Sequence, residues 1–137
     1  MASLIRVRAE ILEKMVLHAR SEPESECCGL LAGRDGVITE IFPATNCLSS
    51  ATAYEIAPRE LFDLFRTFRD RELTHLGQYH SHLSTDNAPS PTDIEQAGYP
   101  DHAYFIVSLR EDSPNPVRAF SIRDGAVTEL EIIATGS

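Results

Sequence analysis

Two Asp-Gly pairs, Asp35-Gly36 and Asp124-Gly125, each sit between runs of β-forming residues. The first joins 29–33 to 37–42, and the second joins 117–122 to 127–133. Asp-Gly supplies the positive backbone angles of a two-residue hairpin, so the chain is expected to contain two antiparallel strand pairs. Ahead of the first hairpin, Ile11, Leu12, Met15, Val16 and Ala19 recur at helical spacing. They predict an amphipathic helix over 9–20, stopped by Ser21-Glu22-Pro23. Pro58 is placed to open a second helix, in which Leu61, Leu64, Phe65 and Phe68 form one stripe, read as core. Short strands are expected at 4–7, 53–56, 76–80 and 104–109, a loop at 83–89 and a short helix at 91–97. The expected order, β-α-β-β-β-α-β-α-β-β-β, describes an α/β (α+β) domain: a mixed or antiparallel sheet with helices packed on it as a layered sandwich.

With 137 residues, no internal repeat and no long linker, a single domain over 1–137 is expected. Twelve basic residues against 21 acidic ones give a net charge of −9, which disfavours nucleic acid and anionic membrane as partners. No apolar run approaches the roughly 18 residues of a membrane span. Charges interrupt residues 1–20 every few positions, so no signal-peptide core is expected there. Three cysteines, two of them adjacent (Cys27 and Cys28), form no disulfide framework and suggest a reducing, cytoplasmic setting. No motif speaks to oligomeric state.

The chemistry-bearing stretch runs from Tyr79 to Asp93. On a strand, residues two apart point to the same face, so His80 and His82 project side by side, as a pair of imidazole ligands for one divalent metal would. Asp86 and Asp93 are the acids able to complete a set of two His and one carboxylate, which leaves one tetrahedral position open for water. A plainer account exists for each part. His-x-His also suits a half-exposed polar strand face, and Ser90-Pro91-Thr92-Asp93 is a complete helix start with Ser as N-cap. The two roles are compatible, because a helix N-terminus gives Asp93 a rigid platform, and Asp86, in the loop, is the weaker candidate. Upstream, Glu22, Glu24 and Glu26 precede an apolar strand, and a carboxylate near an activated water serves as general base. Residue chemistry alone does not choose among the three. Cys28, a conceivable soft ligand, reads as a packing residue, and Cys47, His18, His75 and His102 stand in no motif.

His80-Ser81-His82, seven residues, Ser90, two residues, Asp93 resembles the metal signature of the JAMM (MPN-plus) metallopeptidases. Glu26, three positions before Gly29, is similar to the glutamate of that family, and the element order matches from about residue 4 to 133. Leu83 stands where many members carry Pro, a change that touches loop stiffness rather than a ligand. The resemblance, to the compact prokaryotic type, implies an MPN-like (cytidine-deaminase-like) mixed sheet or partial barrel flanked by helices. It implies that His80, His82 and Asp93 hold Zn²⁺, that Glu26 is the general base, and that Ser90 donates a hydrogen bond to the tetrahedral oxyanion. It implies a metallo-(iso)peptidase whose substrate is the C-terminal tail of a ubiquitin-like or sulfur-carrier protein. Such a tail would suit a strand edge, expected near 53–56 or at the strand ending in His82. The alternative is a catalytically silent MPN binding or scaffold module. A zinc deaminase ranks below both, because the HxE and PCxxC ligands are absent.

Overall fold

The computed structural model describes residues 3–136. Its elements are β1 (Leu4–Arg8), α1 (Ala9–Ser21), β2 (Cys28–Arg34), β3 (Val37–Ala44), α2 (Pro58–Asp70), β4 (Thr74–His82), α3 (Pro91–Gln96), β5 (Ala103–Ser108), β6 (Val117–Arg123) and β7 (Ala126–Thr135). Both hairpins form where the Asp-Gly pairs stand, joining β2 to β3 and β6 to β7. All four turn residues have positive φ: 55° and 76° at Asp35 and Gly36, 49° and 82° at Asp124 and Gly125. Glycine reaches such angles without cost, and aspartate is among the few other residues that tolerate them.

The sheet is mixed, with strand order β1-β3-β2-β4-β5-β6-β7. β2–β3, β2–β4, β5–β6 and β6–β7 are antiparallel, whereas β4–β5, β1–β3 and β1–β7 are parallel. Closure comes from β1, which lies between β3 and β7 and turns the sheet into a complete barrel. The helices still cover two distinct faces. On one, Ile11, Met15 and Ala19 of α1 pack with Cys27, Leu31, Tyr79, Phe105 and Val107. On the other, Cys28, Leu30 and Ala32 meet Phe68 of α2, while Tyr104 and Ile106 meet Ile94 of α3. Strand alternation decides the division: odd positions of β2, β4 and β5 face α1, and even positions face α2 and α3.

Three sequence expectations change. Residues 53–56 form no strand, because their polar groups are taken locally. Asn46 Nδ2 donates to the Ala53 carbonyl at 3.0 Å, Glu55 N–H donates to Asn46 Oδ1 at 3.2 Å, and Cys47 N–H donates to the Glu55 carbonyl at 2.9 Å. The strand ending at His82 is not an edge either: β4 pairs with β2 on one side and β5 on the other. The α2 stripe is also shallower than expected. Phe68 is buried, but Phe65 remains 38% exposed, because α2 lies over one corner of the sheet.

Candidate functional site

β4 carries His80 and His82 on its α2/α3 face, opposite the face on which Tyr79 and Ser81 point toward α1. The strand is held on both sides at this height, with Cys28 opposite His80 on β2 and Ile106 beside it on β5. Ser81 adds a cross-tie, since its Oγ accepts from Cys27 N–H at 2.9 Å and its own N–H donates to the Cys27 carbonyl at 3.1 Å. Both imidazoles are therefore buried on a rigid strand, 2% and 5% exposed.

The loop over 83–89 turns the chain back so that α3 begins against them. Ser90 caps this short helix in a reciprocal box: Ser90 Oγ accepts from Asp93 N–H at 3.0 Å, and Asp93 Oδ2 accepts from Ser90 N–H at 2.9 Å. The cap aims the Asp93 carboxylate at the strand. Asp93 Oδ1 lies 3.2 Å from His80 Nε2, Oδ2 lies 3.1 Å from His82 Nε2, and the two Nε2 atoms are 3.3 Å apart. His82 Nδ1 donates to the Asp86 carbonyl at 2.7 Å, so that the Nε2 lone pair would face an ion once Nε2 gives up the proton it directs at Asp93. Asp86 contributes only that carbonyl; its side chain points to Arg118 at 3.7 Å, outside the cluster. Tyr54 stacks on the His80 ring with centroids 4.7 Å apart.

Two acids here titrate abnormally. The Asp93 carboxyl is held far below the usual carboxylate range: burial works against its charge, but hydrogen bonds to His80 and His82 outweigh it. The Glu26 carboxyl is pushed up to about 7, chiefly by burial, with His82 opposing and Asp93 reinforcing the rise. Glu26 is 5% exposed and its Oε1 has no hydrogen-bond partner. The β2–β4 pairing, extended past Cys28 and His80, sets Glu26 against His82. Glu22 is excluded because its carboxylate receives His18 Nε2 at 2.7 Å, and Glu24 is exposed. Glu26, His82 and Ser90 line one cavity of about 150 Å³, together with Thr52 and residues 83–85.

The donor set fits a divalent ion of the zinc kind. The two Nε2 atoms, 3.3 Å apart, match the edge of about 3.3 Å of a tetrahedron drawn around an ion at ~2.0–2.1 Å, and the Asp93 carboxylate faces both rings, one oxygen toward each. Two imidazole nitrogens with one carboxylate leave a fourth position, and the orphaned Glu26 Oε1 is a buried acceptor lacking a donor. Cys28 does not compete. Burial pushes its thiol up to about 12, which keeps it neutral, and it packs with Leu30 and Ile56.

Sequence reasoning missed the residue that fixes Glu26. Asn46, 5% exposed, donates from Nδ2 to the Glu26 and Ala53 carbonyls, both at 3.0 Å, and accepts at Oδ1 from Leu48 and Glu55 N–H. It ties the Glu26 backbone to the segment that carries Tyr54. Only an Asn in a loop with no other role signals it in the sequence. His75 and His102 stand apart from the cluster, in an aromatic group with Tyr99. His18 bridges Tyr79 Oη and Glu22 on the other side of the sheet.

Residues 8–123 match the family described as prokaryotic homologs of the JAB domain. The chain is 38% identical over 125 residues to the CysO-cysteine peptidase of Mycobacterium tuberculosis, covering 90% of this chain and 86% of that protein. It is 32% identical over 114 residues to the desampylase of Haloferax volcanii, covering 78% of this chain and 82% of the other. A protein of Desulfitobacterium hafniense, with a structure determined in solution, superposes with a TM-score of 0.87 at 33% identity. That match covers 98% of this chain and 94% of the other.

Proposed function

The chain belongs to the prokaryotic JAB-domain family of JAMM/MPN proteins, and from that premise we propose that it is a zinc-dependent peptidase or isopeptidase. Its substrate is the C-terminal tail of a ubiquitin-like or sulfur-carrier protein, cut from the group joined to that tail. His80, His82 and Asp93 hold the ion, and Glu26 and Ser90 carry the proton and oxyanion chemistry. Bound there, Zn²⁺ supplies Lewis-acid catalysis and brings the pKa of water down toward about 7.

The chain's own residues do the rest. Glu26 takes the proton of the attacking water and returns it to the departing nitrogen. In the metal-free chain burial raises its carboxyl to about 7, and a buried carboxyl that titrates above the usual range is suited to taking a proton and giving it back. Ser90 Oγ already accepts from Asp93 N–H, so its hydroxyl hydrogen remains to be given to the oxyanion. Asp86, through its main-chain carbonyl, holds the His82 tautomer that presents Nε2. Tyr54 buttresses His80 and also lines a groove with Ile56 and Gln78, whose Nε2 is buried and unpartnered. An extended tail offers carbonyl oxygens to such a donor.

One observation carries the reading: three ligand atoms from β4 and α3 converge within 4.8 Å, with Glu26 and Ser90 in the cavity beside them. The substrate class rests on the relatives, one a CysO-cysteine peptidase and another a desampylase. The test is to incubate zinc-loaded protein with carrier proteins bearing C-terminal peptide or isopeptide adducts and to read the products by mass spectrometry. Cleavage at the carrier's terminal residue, abolished by chelator and restored by zinc, is expected. Stoichiometric zinc without hydrolysis of any adduct would instead identify a silent binding module.

A further inference from the structure

α1 has a second face that the core does not use. Ile11, Met15 and Ala19 are buried, but Leu17 on the outer side is 63% exposed, more than any other large hydrophobic side chain among the described residues. Beside it runs an apolar groove of about 570 Å³, formed by Leu12 and Val16 of α1 and by Pro116 and Val117 where β6 begins. The groove lies on the α1 side of the sheet, away from the face that bears His80 and His82.

Charge marks what fits there. Glu13 and Arg20 also line the groove, seven residues apart on the same stripe, one to each side of Val16 and Leu17. Both are exposed, and neither takes part in an ion pair among the described residues. A two-fold interface requires a patch complementary to itself. This stripe meets that requirement in one orientation, with a helix lying antiparallel against its own copy. A two-fold axis between Val16 and Leu17 then sets Glu13 of each copy against Arg20 of the other. The acid and base are separated by about 10 Å along each helix, so both pairs close together. The same axis brings each Leu17 over the other copy's Val16, at the mouth of its groove.

We propose that this face of α1 is a homodimer seam, with a second copy of the chain docked antiparallel so that Leu17 enters the partner groove and two Glu13–Arg20 pairs flank it. Apolar burial drives the association, while the ion pairs, individually weak when exposed, fix its direction. The net charge of −9 on each copy opposes encounter, so moderate salt favours the dimer over very low salt.

Sedimentation equilibrium of the full-length zinc-loaded chain, over about 1–100 µM, tests this. Wild type is expected at twice the monomer mass in the upper part of that range, and Leu17→Glu at the monomer mass. Glu13→Arg and Arg20→Glu, each alone, place like charges across the seam and should weaken association by about tenfold or more. An equimolar mixture of the two variants restores both opposite-charge pairs and should recover the dimer. These positions are solvent-facing, and unchanged circular dichroism and melting at low concentration confirm folding. A monomeric wild type, a Leu17→Glu protein that still dimerises, or a mixture no better than its components would each overturn the proposal. A monomeric wild type would leave the groove to a different protein. Adduct cleavage is measured separately, so loss of the dimer and failure of the peptidase reading are distinguishable.

Discussion

Replacing Glu26 with Gln should do two opposite things. The carboxyl of Glu26 has an ordinary value of 4.5 and is pushed to about 7 in the folded chain. At 1.36 kcal/mol per pKa unit, that rise corresponds to a penalty of at most about 3 kcal/mol on the charged form. Water in the adjoining cavity screens part of it, leaving about 1–2 kcal/mol. The sign follows from proton linkage. Below pH 4.5 both folded and unfolded states hold the proton, and the wild type behaves like the Gln variant. Between 4.5 and about 7 the unfolded chain releases its proton first, so folded stability falls as pH rises, and above about 7 the loss is complete. In the metal-free protein, Glu26→Gln should therefore melt like wild type at pH 4.5 and several degrees higher at pH 8. A difference of about 1–2 kcal/mol moves the midpoint of a chain this size by roughly 3–10 °C. In the zinc-loaded protein the same variant should keep its metal and lose nearly all turnover, since Glu26 is the one carboxylate among the residues that line the cavity with Ser90, and His82 there would be engaged as a ligand. Calorimetry at the two pH values, with metal analysis and adduct cleavage, supplies the readout. Equal melting shifts at both pH values would refute the burial argument, and surviving turnover would refute the role of the base.

Four further substitutions separate neighbouring roles. Asp93→Asn should weaken zinc retention by more than the 10–100-fold typical of losing an outer partner, whereas Asp86→Asn should leave zinc content unchanged, because the Asp86 side chain faces Arg118; metal analysis after dialysis decides, and the reverse pattern would exchange the two roles. Ser90→Ala should cost about 1 kcal/mol of stability through the lost cap and about 100-fold or more in turnover through the lost oxyanion donor; a loss of stability alone would reduce Ser90 to a cap. Asn46→Ala removes the side chain that holds the Glu26 and Ala53 carbonyls and should cost ~2–4 kcal/mol in urea unfolding, since the backbone groups left behind are buried; unchanged stability would show that the segment is held by other contacts.

Much of the fold was legible because its signals are local. Asp35-Gly36 and Asp124-Gly125 require positive φ at both turn residues, and that is where β2–β3 and β6–β7 turn. The α1 stripe and the Pro58 helix start are equally local, and both helices form there. The expected strand at 53–56 failed for a local reason that composition hides: one side chain, Asn46, captured the polar groups a ladder would have used. Phe65 looked like core because a helical stripe reports which residues share a face, not how deeply the sheet covers it. The site divides in the same way. His80, His82, Ser90 and Asp93 sit within one continuous stretch, where strand alternation and a helix cap already dictate direction. Glu26 does not, because Glu22, Glu24 and Glu26 all occupy even positions and alternation treats them alike.

By itself the sequence determined the turns, the helices, the paired imidazoles and the capped acid, since each depends on residues a few places apart. Only the tertiary structure decided that β1 closes the barrel between β3 and β7. It alone decided that β2 pairs with β4 in the register that brings Glu26 to His82, and that Glu22 is spent on His18. It also set how closely the capped Asp93 carboxylate meets the imidazoles, 3.1–3.2 Å from each Nε2. Those outcomes depend on pairing between segments tens of residues apart, where register is set by the burial of whole strand faces and not by any neighbouring residue.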